Sequence, residues 1–97
     1  MLNKQEAKEI LKAEIRTYRS KEYSELTALI QSSLNYQKEG PSGDIYQIEI
    51  QVFWENPREV NGDIRVIAAI DDGKFPSVFI PLTLDFIMDS EGNFVGE

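Results

Sequence analysis

The side chains that could do chemistry here are almost all carboxylates. The chain of 97 residues carries 17 Asp and Glu against 10 Lys and Arg, with no His and no Cys. Without Cys there is no disulfide, thiolate nucleophile or Cys-based metal site. Without His the usual acid/base group at neutral pH is missing, and most nucleophilic triads and zinc sites go with it. What remains is carboxylate and phenol chemistry. Asp71-Asp72-Gly73 offers hard oxygen ligands of the kind Mg²⁺ and Ca²⁺ take, and Asp85, Asp89 and Glu91 lie near expected strand ends. Asp89-Ser90-Glu91-Gly92-Asn93 does not match an EF-hand loop, and Asp-Gly and Glu-Gly are ordinary turn pairs. Turn chemistry is therefore the preferred reading, with no metal and no cofactor expected. A phenol–carboxylate site could pair Tyr18, Tyr36 or Tyr46 with Asp63 or Asp85, but it needs a deep pocket that so short a chain fills with its own core. A glycosidase-type carboxylate pair lacks an aromatic sugar platform, since there is one Trp. Gly40-Pro41-Ser42-Gly43 lacks the Lys and following helix of a phosphate loop. These exclusions leave a protein that leans away from catalysis.

Charge points to a partner instead. Residues 1–38 hold seven Lys/Arg and five Glu, whereas residues 39–97 hold three Lys/Arg and twelve Asp/Glu. The acidic portion repels phosphate backbones, so no nucleic-acid partner is expected. The only basic–aromatic interleaving, Tyr18-Arg19-Ser20-Lys21-Glu22-Tyr23, reads as a solvated helix start. The acidic portion would attract a basic protein surface, and a second copy of the chain is the other partner considered. The start of the chain has no signal-peptide pattern, and no stretch has the roughly 18 apolar residues of a membrane span. A cytoplasmic location with no membrane partner is the expectation.

The elements that position these groups follow from periodicity. Ala7, Ile10, Leu11, Glu14 and Ile15 trace a stripe at three-to-four spacing, predicting a helix over residues 4–17 with one polar member in its apolar stripe. Ser20 is a candidate N-cap for a second helix over about 21–32, with Tyr23, Leu26, Leu29 and Ile30 on one face. One kinked helix over 4–32 is the alternative. Gly40-Pro41-Ser42-Gly43 predicts a turn between a short strand, 34–39, and a long one, 44–55. In the long strand Tyr46, Ile48, Ile50, Val52 and Trp54 alternate with Gln47, Glu49, Gln51 and Phe53, the period of a sheet with one buried and one wet face. Asn61-Gly62 predicts a hairpin connection to a strand over 63–71, with Ile64, Val66, Ala68 and Ile70 inward. A further strand is expected over 75–84, interrupted by Pro76 and Pro81, then a last hairpin of 86–88 with 93–95. The fold class is therefore α+β: one or two N-terminal helices packed on a curved antiparallel sheet of four to five hairpin-linked strands, in a single domain spanning 1–97.

Tyr46-Gln47-Ile48-Glu49-Ile50-Gln51-Val52-Phe53-Trp54 and Gly62-Asp63-Ile64-Arg65-Val66, with Asp71-Asp72-Gly73, Pro81-Leu82-Thr83, Asp85-Phe86-Ile87 and Gly92-Asn93-Phe94-Val95-Gly96-Glu97, resemble a group of small bacterial proteins of unknown function. The resemblance covers about half the chain and implies no activity. The helix-then-sheet order is also similar to the cystatin-like and nuclear-transport-factor-like folds, a likeness of topology alone.

Together these features favour a non-enzymatic module that binds another protein, or assembles with itself, through an acidic sheet face. The candidate partner-binding residues are Phe53, Trp54, Asp71, Asp72 and Asp85. Phe53 stands out because it shares the wet face, where Ile67 and Ala69 of the next strand would extend it into an apolar patch. A small-ligand pocket in the concave sheet and an immunity-type inhibitor of a basic toxin are the alternatives.

Overall fold

The computed structural model describes residues 4–71 and 82–97. Its first element, α1 (Lys4–Arg19), runs two residues past the expected end. The extension brings Tyr18 into the helix, where it continues the stripe of Ala7, Leu11, Glu14 and Ile15 that the fold buries. Helix α2 (Tyr23–Thr27) is shorter than expected. It starts from Glu22, in extended backbone, whose amide donates to the Glu25 carboxylate at 3.1 Å. The expected cap, Ser20, instead closes α1, its hydroxyl donating to the Thr17 carbonyl at 2.7 Å. The chain continues from Thr27 in turns and reverses at Gln31, whose φ of 70° is left-handed. Two separate helices form, as the sequence predicts, and the alternative of one kinked helix over 4–32 does not.

Four strands follow as an antiparallel meander: β1 (Leu34–Glu39), β2 (Ile45–Trp54), β3 (Ile64–Asp71) and β4 (Leu82–Met88), paired in the order β1-β2-β3-β4. Phe86-Ile87-Met88 is the end of β4 and not a separate strand. The part of the expected 75–84 strand before Leu82, with Pro76 and Pro81, lies outside the described residues. Met88 makes an antiparallel bridge with Phe94 and the Val95 amide donates to Ile87 O at 2.9 Å, so the expected final hairpin forms in short form, reduced to a single bridge.

One turn design is used twice. At Gly40–Asp44 the Gly43 amide donates to Gly40 O at 2.9 Å and the Gly40 amide to Asp44 O at 2.8 Å. At Asp89–Asn93 the Gly92 amide donates to Asp89 O and the Asp89 amide to Asn93 O. Gly43 (φ 92°) and Gly92 (φ 86°) occupy the left-handed position that closes a type I turn with a bulge, where a Cβ would be strained. Asn61 (φ 71°) supplies the same conformation in the β2–β3 connection.

Strand alternation sorts the core. Tyr46, Ile48, Ile50 and Val52 of β2, Ile64, Val66, Ala68 and Ile70 of β3, and Phe86 and Met88 of β4 are buried on one face. Ala7, Leu11, Ile15 and Tyr18 of α1 and Leu26 of α2 join them in one cluster. The helix-facing side of the sheet is therefore packed by side chains of the chain itself. This is a two-layer α+β fold with an open sheet, as the sequence predicts.

Candidate protein-binding face

The odd-numbered side chains of the strands point away from the helices. Register places them in rows: Glu49 beside Ala69, Gln51 beside Ile67, Phe53 beside Arg65 on β2 and β3, then Ala69 beside Thr83, Ile67 beside Asp85 and Arg65 beside Ile87 on β3 and β4. No element among the described residues packs on this face. Phe53 is 38% exposed there, and Ile67, Ala69 and Ile87 are half-buried. Ile67 is diagonal to Phe53 and within reach of an aromatic ring. Acids share this face: Glu49, Asp71 and Asp85 on the strands, Glu55 just beyond β2, and Glu39 at the far end of β1. Among the described strand residues, Arg65 is the one base on the face. Its guanidinium takes Glu55 in two bonds (Nε–Oε1 3.1 Å, Nη2–Oε2 2.7 Å) and also bridges to Asp85. The pairings, with Glu55 first, raise the Arg65 pKa further above its already high value. Glu49 has neutral donors instead, Ser33 Oγ at 3.2 Å and Gln51 Nε2 at 3.5 Å.

The five expected partner-binding residues therefore separate. Phe53 stands on the outer face. Asp85 is on the same face but bound to Arg65. Asp71 ends β3 on that face and already has an interaction within the protein. Asp72 lies outside the described residues. Trp54 points to the helix side and packs partly buried against the core. It also lines an open groove of about 560 Å³ between Ile30–Ser33 and the end of β2, with Gln51, Val52, Phe53 and Pro57 completing the wall.

The phenol–carboxylate pairs considered for Asp63 or Asp85 do not form. The tyrosines instead meet glutamates of α1. Glu14 is 8% exposed. It accepts the Tyr36 hydroxyl at 2.6 Å on Oε1 and Lys38 Nζ at 3.2 Å on Oε2. Since the Tyr36 proton goes to the carboxylate, Tyr18 donates in the 3.4 Å contact between the two hydroxyls. Burial foremost, then the bonds to Glu14 and Tyr18, push the Tyr36 pKa well above the ordinary phenol range. A phenol so held keeps its proton at neutral pH and serves as a donor. Glu6 likewise accepts Tyr46 OH at 2.7 Å, Ser42 Oγ at 2.6 Å and the Ser42 amide at 2.9 Å. The Ser42 and Tyr46 hydroxyl bonds lower its pKa. Both clusters tie α1 to the β1–β2 hairpin. Asp89 is a turn residue, its Oδ1 accepting the amides of Glu91 and Asn93 at 2.9 Å each. No group of three carboxylates placed to hold a metal occurs among the described residues, and none of their helices is long and apolar enough to cross a membrane.

The chain matches no family model, no curated protein and no solved structure. The class assigned is therefore that of its geometry, an open-faced α+β domain.

Proposed function

We propose that this protein is a small binding module whose outer sheet face holds another protein through a basic surface. The observation that carries this reading is the uncovered face itself, where Phe53 and Ile87 flank the ion-paired Arg65, Ile67 lies diagonal to both, and acids surround them. Exposed apolar side chains interleaved with an Arg and bordered by charge are found at protein interfaces, where aromatic residues and Arg are enriched. The acids Glu39, Glu49, Glu55, Asp71 and Asp85 against one Arg steer basic partners and repel acidic ones. A second copy of this chain, at net charge −7, meets that repulsion itself. The concave-pocket reading is weakened because Leu11, Ile15, Ile50 and Val66 pack together between α1 and the sheet, and the cleft of about 260 Å³ beside α1 and β4 is smaller than the usual ligand site. An inhibitor of a basic toxin is one form such a module takes.

The test compares the protein with its Phe53→Ser and Glu49→Lys variants as bait in a lysate of its own cells. Capture is repeated at about 0.1 M and about 1 M salt, which shortens the Debye length from about 10 Å to about 3 Å. The expected result is a basic protein retained by the parent at low salt and lost in both variants. Retention of the same proteins by all three baits would refute the reading.

A further inference from the structure

The sheet has an edge that its own chain leaves open. Strand β1 covers β2 only as far as the Leu34–Ile50 pair, while β2 runs on to Trp54. In an antiparallel ladder, alternate residues turn their amide and carbonyl groups to opposite sides. Two bonds fix the parity here. The Glu55 amide donates to Asp63 O, so the odd-numbered residues of β2 bond to β3. The Gly40 amide donates to Asp44 O, so the even-numbered ones bond to β1. Val52 and Trp54 therefore aim their main-chain groups at the side where β1 has ended. Ser32 stands at the register position opposite Val52, but the chain there has turned through the left-handed Gln31 and lies outside the strand. Among the described residues no backbone bond reaches Val52 or Trp54 from that side. The opening is the groove of about 560 Å³, a volume typical of ligand sites.

We infer that this groove receives an extended, basic segment of the partner protein as an added strand, antiparallel to Val52–Trp54. The inference rests on the reading of the outer face and names the way the partner is held. Cross-strand neighbours share a face, so segment residues opposite Val52 and Trp54 point toward Ile30 and the core. Those residues are apolar. The residue between them, opposite Phe53, points outward on the face that carries Glu49 and Glu55. That residue is basic. The lining of the groove carries no charged side chain of its own, so the acids of the adjoining face, Glu49, Glu55 and Asp85 against the one Arg65, set the local sign. A second copy of the chain would bring its own negative charge to the same place, which is why the occupant is a basic segment. Main-chain bonds supply affinity and the alternating side chains supply selectivity, as in other strand additions.

The probe is the blocked hexapeptide Lys-Val-Lys-Val-Lys-Val, titrated into the isotope-labelled full chain and followed by NMR. Comparison peptides are Glu-Val-Glu-Val-Glu-Val and two forms of the lysine peptide, one N-methylated on its valine amides and one on its lysine amides. The inference predicts saturable shifts centred on the Val52 and Trp54 amides. Methylating the valine amides, which face β2, weakens binding about tenfold or more through two lost ladder bonds, whereas methylating the lysine amides does not. The glutamate peptide and the Glu49→Lys variant each bind more weakly. Saturable shifts centred on Phe53, Ile67 and Ile87, indifferent to N-methylation, would overturn strand addition and leave the outer-face reading standing. Absence of saturable shifts would overturn strand addition as well. The outer-face reading would then stand or fall on its own variants.

Discussion

Replacing Tyr36 by Phe removes one oxygen and leaves the ring. Little cavity arises, so the energy lost is that of the hydroxyl's bonds. The main one is the 2.6 Å bond to Glu14, a buried carboxylate. Hydrogen bonds to charged groups contribute about 1.5–3 kcal/mol, and an acceptor left short of donors in a buried site adds to the loss. Glu14 keeps Lys38 on its other oxygen, but that lysine is half exposed, and exposed pairs contribute about 0–1 kcal/mol. Tyr18 loses only a long contact of 3.4 Å. Tyr36→Phe is therefore expected to cost about 2 kcal/mol, a fall in Tm of about 10 °C for a domain of this size. Chemical denaturation at neutral pH measures it. In the background of Glu14→Leu, where the carboxylate is gone, the same change should be nearly neutral, with a coupling of about 1–2 kcal/mol. The pH dependence has a definite sign. The unfolded phenol ionises near pH 10 while the folded one keeps its proton, so this stabilisation is complete below about pH 10 and is lost as pH rises above it. The gap between parent and Tyr36→Phe should thus narrow on the alkaline side. A Tyr36→Phe protein within about 0.5 kcal/mol of the parent, or a coupling near zero, would refute this account of the cluster.

Three further changes test the ties between layers. Gly40→Ala places a Cβ 2.7 Å from the Glu6 carboxyl and 3.1 Å from the Tyr46 ring, and since Glu6 is pinned by its bonds, unfolding titrations should give a loss of about 1–3 kcal/mol. Glu6→Gln should flatten the acid limb of the stability curve. The lowered Glu6 pKa contributes stability above the unfolded carboxyl pKa and loses it as pH falls through the folded value, so parent and variant should converge in acid melts. Arg19 lies 3.9 Å over the Phe94 ring and holds Glu97 in two bonds, one of 2.7 Å, so Arg19→Ala should speed amide exchange at Val95 while leaving Ile50 and Val66 unchanged.

The sheet was legible where side-chain period and burial coincide. The Tyr46–Trp54 and Ile64–Ile70 alternations fix which face is core, and Gly40-Pro41-Ser42-Gly43 fixes the hairpin between β1 and β2. Boundaries set by competing local bonds were less legible. Ser20 has the chemistry of an N-cap, yet its hydroxyl closes the preceding helix and Glu22 takes the cap position. Residues 86–88 looked separable from a strand ending at 84, but Val66↔Phe86, Ile67↔Asp85 and Ala68↔Leu84 are successive rungs of one ladder. Glu14 was visible as the polar member of the α1 stripe, and a charge in such a stripe asks for buried partners. Which tyrosine answers depends on pairing across 22 residues, which no local pattern carries. The open edge at Val52 and Trp54 arises from unequal lengths of β1 and β2, so it appears only once the register is known.

The most direct measurement places a photo-crosslinking phenylalanine analogue at Ala69, amid the outer sheet face, and in a separate sample at Ala13, on the exposed side of α1. Both are irradiated in a lysate of the protein's own cells. The account predicts a crosslinked basic protein from position 69 that fades as salt rises, and none from position 13. Crosslinks from position 13 alone, or equal products from both, would contradict it.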